Sequence, residues 1–193
     1  MKRIPAIGSL LALLLWPSLA HAHVGVGETN GFANGVIHPI TGLDHICAMV
    51  AVGLWAAQRG GRAIWLVPLT FVSVMALGGW LGMIGRSMPF VEQGIVASVL
   101  ILGLLIAAAV RLPLVVSVLI VGLFALFHGH AHGAEMPDTA SGLLYGLGFI
   151  FSTLLLHLVG ICLGFSAQKF GTPRLVRYAG AAIVVCGVYL CCA

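Results

Sequence analysis

Six apolar runs, each approaching the hydrocarbon thickness of a bilayer, follow one another along this chain with short connections between them. A spanning segment needs about 20 apolar residues, and inside lipid every backbone N–H and C=O must find a partner within the protein. Runs of this length satisfy that requirement as helices. They cover about Gly35 to Ala57, Ala63 to Ile84, Glu92 to Val110, Pro113 to His128, Ser141 to Ala167 and Leu175 to Cys192. Composition excludes the other classes. Hydrophobic residues make up 61%, charged residues 7%, and mean hydropathy is +1.14. A soluble domain carries about 25% charged residues, and a disordered chain is more polar still. The expected fold is an all-α integral membrane protein, a six-transmembrane-helix bundle occupying residues 23–193 as one domain.

Residues 1–22 have the form of a cleaved N-terminal signal peptide. Lys2 and Arg3 precede a short apolar core from Ile7 to Trp16, and Ala20-His21-Ala22 has the A-x-A cleavage form; an uncleaved first helix is the other reading. Cleavage after Ala22 makes His23 the new amino terminus, where an amine beside an imidazole can chelate a transition metal. Lys and Arg report orientation. Arg59, Arg62, Arg111, Lys169, Arg174 and Arg177 fall in alternate loops, on one side, with no acid among them. Glu28, Glu92, Glu135 and Asp138 fall on the other side, with Arg86. The basic side is expected in the cytoplasm, which puts both mature termini in the periplasm of a bacterial inner membrane. The nine basic residues form no run that would hold nucleic acid, and no G-x-x-x-x-G-K-[ST] loop offers nucleotide binding. The five cysteines include no C-x-x-C and read as small apolar residues. Gly78-Gly82, Gly142-Gly146 and Gly160-Gly164 are small-xxx-small pairs and read as helix packing. A homo-oligomer is compatible with the sequence, which fixes no copy number.

Polar groups retained inside apolar spans mark function, because an ionisable side chain in mid-bilayer costs about 2.5–3.5 kcal/mol on insertion scales. Asp44 is the one acid inside an apolar run, within His38-Pro39-Ile40-Thr41-Gly42-Leu43-Asp44-His45. In a continuous helix His38 and His45 share a face, Met49 extends it, and Asp44 projects elsewhere. If Pro39 and Gly42 open the helix, Asp44 and His45 come to one centre. Imidazoles with a carboxylate suit nickel, cobalt, zinc or copper. Asp44 can equally orient an imidazole from behind, or join helices as a buried Asp–His pair. The second cluster is Phe127-His128-Gly129-His130-Ala131-His132-Gly133-Ala134-Glu135. As helix it puts His128 and His132 on one face; extended, it points all three imidazoles one way. Short His-rich tracts suit metal, with a solvated loop as the alternative. His157, near the middle of the fifth run, either lines a route or fills a packing position.

In these two segments, His38 to Ala56 and Phe127 to Glu135, the chain resembles the HupE/UreJ family of nickel and cobalt permeases, and the signal segment and six spans extend the likeness over essentially the whole chain. The resemblance implies a secondary transporter for Ni(II), sometimes Co(II), with metal residues His38, Asp44, His45, His128, His132 and Glu135. His23, His130, His157 and Met49 join the candidate set on the chemistry of their side chains. The transported ion is substrate, no prosthetic group is expected, and the remaining partner is the lipid bilayer. An intramembrane metallohydrolase lacks H-E-x-x-H, so no enzyme is expected. A metal-binding accessory or sensor protein for metalloenzyme assembly explains the outer histidines but not Asp44 and His45 within a span.

Overall fold

The computed structural model describes residues 31–136 and 140–192, and every regular element in it is helical. The helices are α1 (Gly31–Thr41), α2 (Leu43–Arg59), α3 (Ala63–Met83), α4 (Val91–Ala107), α5 (Leu114–Ala134), α6 (Gly142–Lys169) and α7 (Pro173–Cys192). Four of them, α3, α5, α6 and α7, are long and apolar enough to cross a membrane. The pair α1–α2 passes the same test jointly but is bent by 83°, and α4 is a shorter apolar helix. The signal segment and His23 lie outside the described residues.

The first predicted span is not one helix, and its sequence explains why. Pro39 has no N–H to offer the carbonyl four residues back, so α1 is weakened near its end. Gly42 then adopts an extended conformation (φ −88°, ψ 120°) and starts α2 afresh. Ile46 N–H bonds to Gly42 C=O at 3.0 Å as the first tie of the new helix, and the Thr41 hydroxyl donates to His38 C=O at 2.9 Å at the end of the old one. The other predicted spans match α3, α4, α6 and α7 to within a few residues. The fourth continues past His128 to Ala134, so the whole histidine tract is helical.

Apolar side chains fill the interior and cover the exterior as well. α2 is buried on nearly all its faces from Cys47 to Ala57 and touches α1, α3, α4, α6 and α7. Outward-facing positions carry large apolar side chains, among them Leu69 and Leu77 on α3, Leu119 and Leu123 on α5, and Leu155 on α6. Trp65 and Trp80, 67% and 56% exposed, sit near opposite ends of α3, as interfacial aromatics do in membrane proteins. The polar ends separate. Gln58 donates to Ile106 C=O at 3.1 Å, Gln168 to Ala57 C=O at 3.0 Å, Arg177 to Ala107 C=O at 2.8 Å, and Arg59 to Leu112 C=O. These ties gather the three basic connections at one end.

Four pairings dominate: α3 with α5, α1 and α2 each with α6, and α4 with α7. The first has backbone pressed on backbone. A Cβ on Gly129 would overlap the Met75 carbonyl, one on Gly133 the Gly79 carbonyl, and one on Gly82 the His130 carbonyl. With the glycine face of α5 turned to α3, His128 and His132 are directed to the bundle centre. Gly129→Ala is expected to destabilise the protein by about 1–3 kcal/mol, because a backbone carbonyl cannot yield as a side chain does. Thermal unfolding in detergent reads this as a lower midpoint. Gly122→Ala, whose Cβ would meet only Thr70 and Val74 methyl groups at 3.5 and 3.7 Å, leaves the midpoint unchanged or raises it. Equal effects of the two substitutions would refute backbone contact as the bond between α3 and α5.

Candidate functional site

The break at Gly42 brings the start of α2 into the bundle, and four imidazoles meet there. The His45 ring centre lies 4.6 Å from that of His132 and 4.8 Å from that of His128. His38, at the end of α1, lies 4.9 Å from His132 and 6.2 Å from His45. The cluster thus draws on α1, α2 and α5. His128 and His132 are wholly buried and His45 nearly so. His38 and Glu135 form its partly open rim, their side chains 29% and 54% exposed and joined Nε2 to Oε2 at 2.9 Å. That imidazole holds the Glu135 carboxyl below its ordinary range, so Glu135 is an anion at neutral pH.

Hydrogen bonds fix which nitrogens face inward. Asp44 Oδ1 accepts from the His45 backbone N–H at 2.7 Å and from His45 Nδ1 at 2.8 Å. With its proton on Nδ1, His45 keeps a lone pair on Nε2, and that atom is buried without a hydrogen-bond partner among the described residues. Asp44 also stands in the first turn of α2, where the helix dipole favours an anion. The Ser98 hydroxyl on α4 donates to Ile95 C=O at 2.6 Å, so its oxygen is left to accept from His128 Nε2 at 2.9 Å. His128 therefore keeps its lone pair on Nδ1, which is likewise buried and unpartnered. Both nitrogens of His132 are unpartnered, and its ring stacks on Phe149 at 5.1 Å with 13° between planes. A buried polar atom without a partner costs about 1–3 kcal/mol, and this cluster holds four such nitrogens. An electron-pair acceptor, a metal cation above all, is the chemical partner such lone pairs fit.

The cluster as it stands is not a closed metal centre. Among the described residues no group of three His, Cys, Asp or Glu side chains is placed to hold a metal ion, because His38 and His45 are engaged with carboxylates and the rings contact one another. One apolar pocket lies elsewhere, between α2, α6 and α7 near the basic end, lined by Leu54, Leu163, Ala167 and Phe170 among others.

Of the residues singled out from sequence, the structure gathers His38, Asp44, His45, His128, His132 and Glu135. It separates the other described candidates. His130 is buried but turns away from the cluster and donates Nε2–H to Arg86 C=O at 2.6 Å, tying α5 to the α3–α4 turn. His157 lies apart against Phe71, with ring centres 5.1 Å apart. Met49 is buried one turn beyond His45, beside Thr153. Sequence reasoning missed Ser98, Phe149 and Tyr145. Ser98 is the one hydroxyl in the apolar stretch of α4 and was visible as such. Tyr145, with its ring 6.2 Å from His38 and its hydroxyl buried and unpartnered, carries no spacing signal.

An apolar exterior, several helices able to cross a bilayer and a polar centre on a broken helix define a multi-pass membrane protein. The sequence pattern of the HupE / UreJ protein family matches residues 11–190. Over 186 residues the chain is 47% identical to Protein HupE of Rhizobium leguminosarum bv. viciae, covering 95% of this chain and 96% of that protein. The chain belongs to the HupE/UreJ family. No solved structure matches it.

His130→Ala should loosen the α3–α4 turn by removing the hydrogen bond that ties it to α5, at a cost of about 0.5–1.5 kcal/mol. Faster amide exchange confined to residues 84–90 is the expected readout, and unchanged exchange there would show that the bond to Arg86 holds nothing in place.

Proposed function

We propose that this protein imports a divalent transition-metal ion across the bacterial inner membrane, Ni(II) foremost and Co(II) as the second substrate. The observation that carries the reading is the set of buried, unpartnered imidazole nitrogens at the centre of the bundle. Family membership supports it independently. In this reading α1–α2 is one broken span, and with α3 to α7 it makes six crossings. Residues 1–22 act as a cleaved signal. The basic loops face the cytoplasm, as Lys and Arg do across membrane proteins, and both mature termini face the periplasm.

An incoming ion meets Glu135 and His38 first, because they are the exposed rim. The Glu135 anion attracts it, and His38, whose Nε2–H is given to Glu135, offers the ion the lone pair on Nδ1. His132 and His45 Nε2 come next, and His128 Nδ1 lies deeper. Each exchange replaces a water with an imidazole nitrogen, and at His45 and His128 the tautomer is preset by Asp44 and Ser98. Asp44 holds the His45 tautomer and supplies the negative charge that offsets the cation in a low-dielectric interior. No single position offers a complete cage, and this keeps affinity modest enough for release. An inward-negative potential favours entry of a divalent cation by about 4–5 kcal/mol per 100 mV, so uptake needs no nucleotide. His23, at the mature amino terminus, would add a capturing chelate on the outer side.

Radiolabelled nickel uptake into sealed proteoliposomes tests this. Asp44→Asn and His45→Ala are each expected to abolish uptake while the protein still inserts and elutes as the wild type does. Normal uptake in either variant would remove the site from the route, and a wild type that binds metal without flux would be an accessory or sensor protein. Ser98→Ala frees the His128 tautomer and should lower nickel affinity by about 10–100-fold, as loss of an orienting partner does elsewhere. Titration of the purified variant would contradict this assignment if affinity were unchanged.

A further inference from the structure

Deeper than the imidazoles, three helices bring a different kind of donor to one point. The Thr153 hydroxyl on α6 lies 3.3 Å from Met49 Sδ on α2 and 3.6 Å from Met75 Sδ on α3. All three residues are fully buried. A helical threonine ordinarily donates to a carbonyl in the preceding turn. Here the hydroxyl is aimed at two thioethers, which are weak acceptors, and its one proton can serve only one of them. One turn further along α6, His157 is buried with both ring nitrogens unpartnered among the described residues. A core that needed only packing would have placed valine at 153 and leucine at 157 and left no buried polar atom to satisfy.

The position of this group relative to the imidazoles is equally specific. Met49 follows His45 by one turn of α2, and Thr153 follows Phe149, the residue stacked on His132, by one turn of α6. Phe71, one turn from Met75 on α3, lies 5.7 Å from the His128 ring and 5.1 Å from the His157 ring. The two groups of donors are therefore adjoining layers of one interior.

We propose that Met49, Met75 and Thr153 form a second metal-binding station that takes the ion from the imidazoles and passes it toward His157. The inference rests on the import reading above and adds a basis for selectivity. Thioether sulfur is a soft donor that binds late transition metals and offers little to Mg(II) or Mn(II), which prefer oxygen. The imidazole–carboxylate layer alone does not separate these classes as sharply. A hard cation that reached the outer layer would find one hydroxyl oxygen and two thioethers here, a poor replacement for its water.

The test is X-ray absorption at the nickel edge on the full chain, labelled with selenomethionine and loaded with excess Ni(II). Selenium distinguishes methionine from the five cysteines. A nickel–selenium shell beside a nickel–nitrogen shell is expected. In Met49→Leu/Met75→Leu, a change that nearly conserves volume and should fold, the selenium shell disappears and the nitrogen shell remains. Nickel uptake into proteoliposomes then falls by about tenfold or more. Nitrogen and oxygen neighbours alone in the wild type, a selenium shell that survives the double substitution, or unchanged uptake would each overturn the station. Absence of the nitrogen shell in the wild type would overturn the outer site instead, and this one with it.

Discussion

A helix interrupted inside an apolar bundle exposes polar atoms that water cannot reach, and the break at Gly42 is where this molecule meets that constraint. Thr41 covers a carbonyl of α1, Gly42 supplies the first carbonyl of α2, and Asp44 gathers two donors from His45. The break also decides which residues can meet. In a straight helix Asp44 would point away from the face shared by His38 and His45. With an 83° bend, His38 and His45 approach α5 from two directions, and Asp44 stands behind the ring it orients.

Close backbone contact on a neighbouring face of α5 accompanies the convergence of the rings. Gly129 and Gly133 each follow a histidine by one residue, about 100° round the helix, so the α5 face beside His128 and His132 has no side chains to hold α3 away. The same logic joins α2 to α6, where Gly53 and Gly160 bring the backbones together. Small residues drive association in membranes, where burying apolar surface against protein gains little over burying it in lipid. Here they also aim the polar residues, since a helix packed tightly by one face must present the other inward.

Most of the architecture was legible because lipid imposes a length and an apolar composition that any spanning helix must show. The boundaries of α3, α6 and α7 followed from that alone. The histidine tract was legible as chemistry, yet its helical state was open, since alternating His and Gly residues satisfy either period. The break at Gly42 could be read as an alternative because Pro39 and Gly42 announce it locally. Residues brought together by tertiary contact were not legible. Ser98 belongs to His128 only because α4 lies against α5. Met75 sits in an apolar run that gives no hint of Thr153. His130 stands in the same tract as its neighbours but two residues from each, nearly on the opposite face of the helix, which sends it to Arg86.

The pairing of helices by their glycine faces divides the molecule into stiff bodies. α3 and α5, locked backbone to backbone, form one; α1, α2 and α6 form another. His128 and His132 ride on the first body, and His38 and His45 ride on the second. A small sliding of one body past the other therefore changes the spacing of the imidazoles before it disturbs any contact within either body. The place where the chain is chemically richest coincides with the seam between these two bodies.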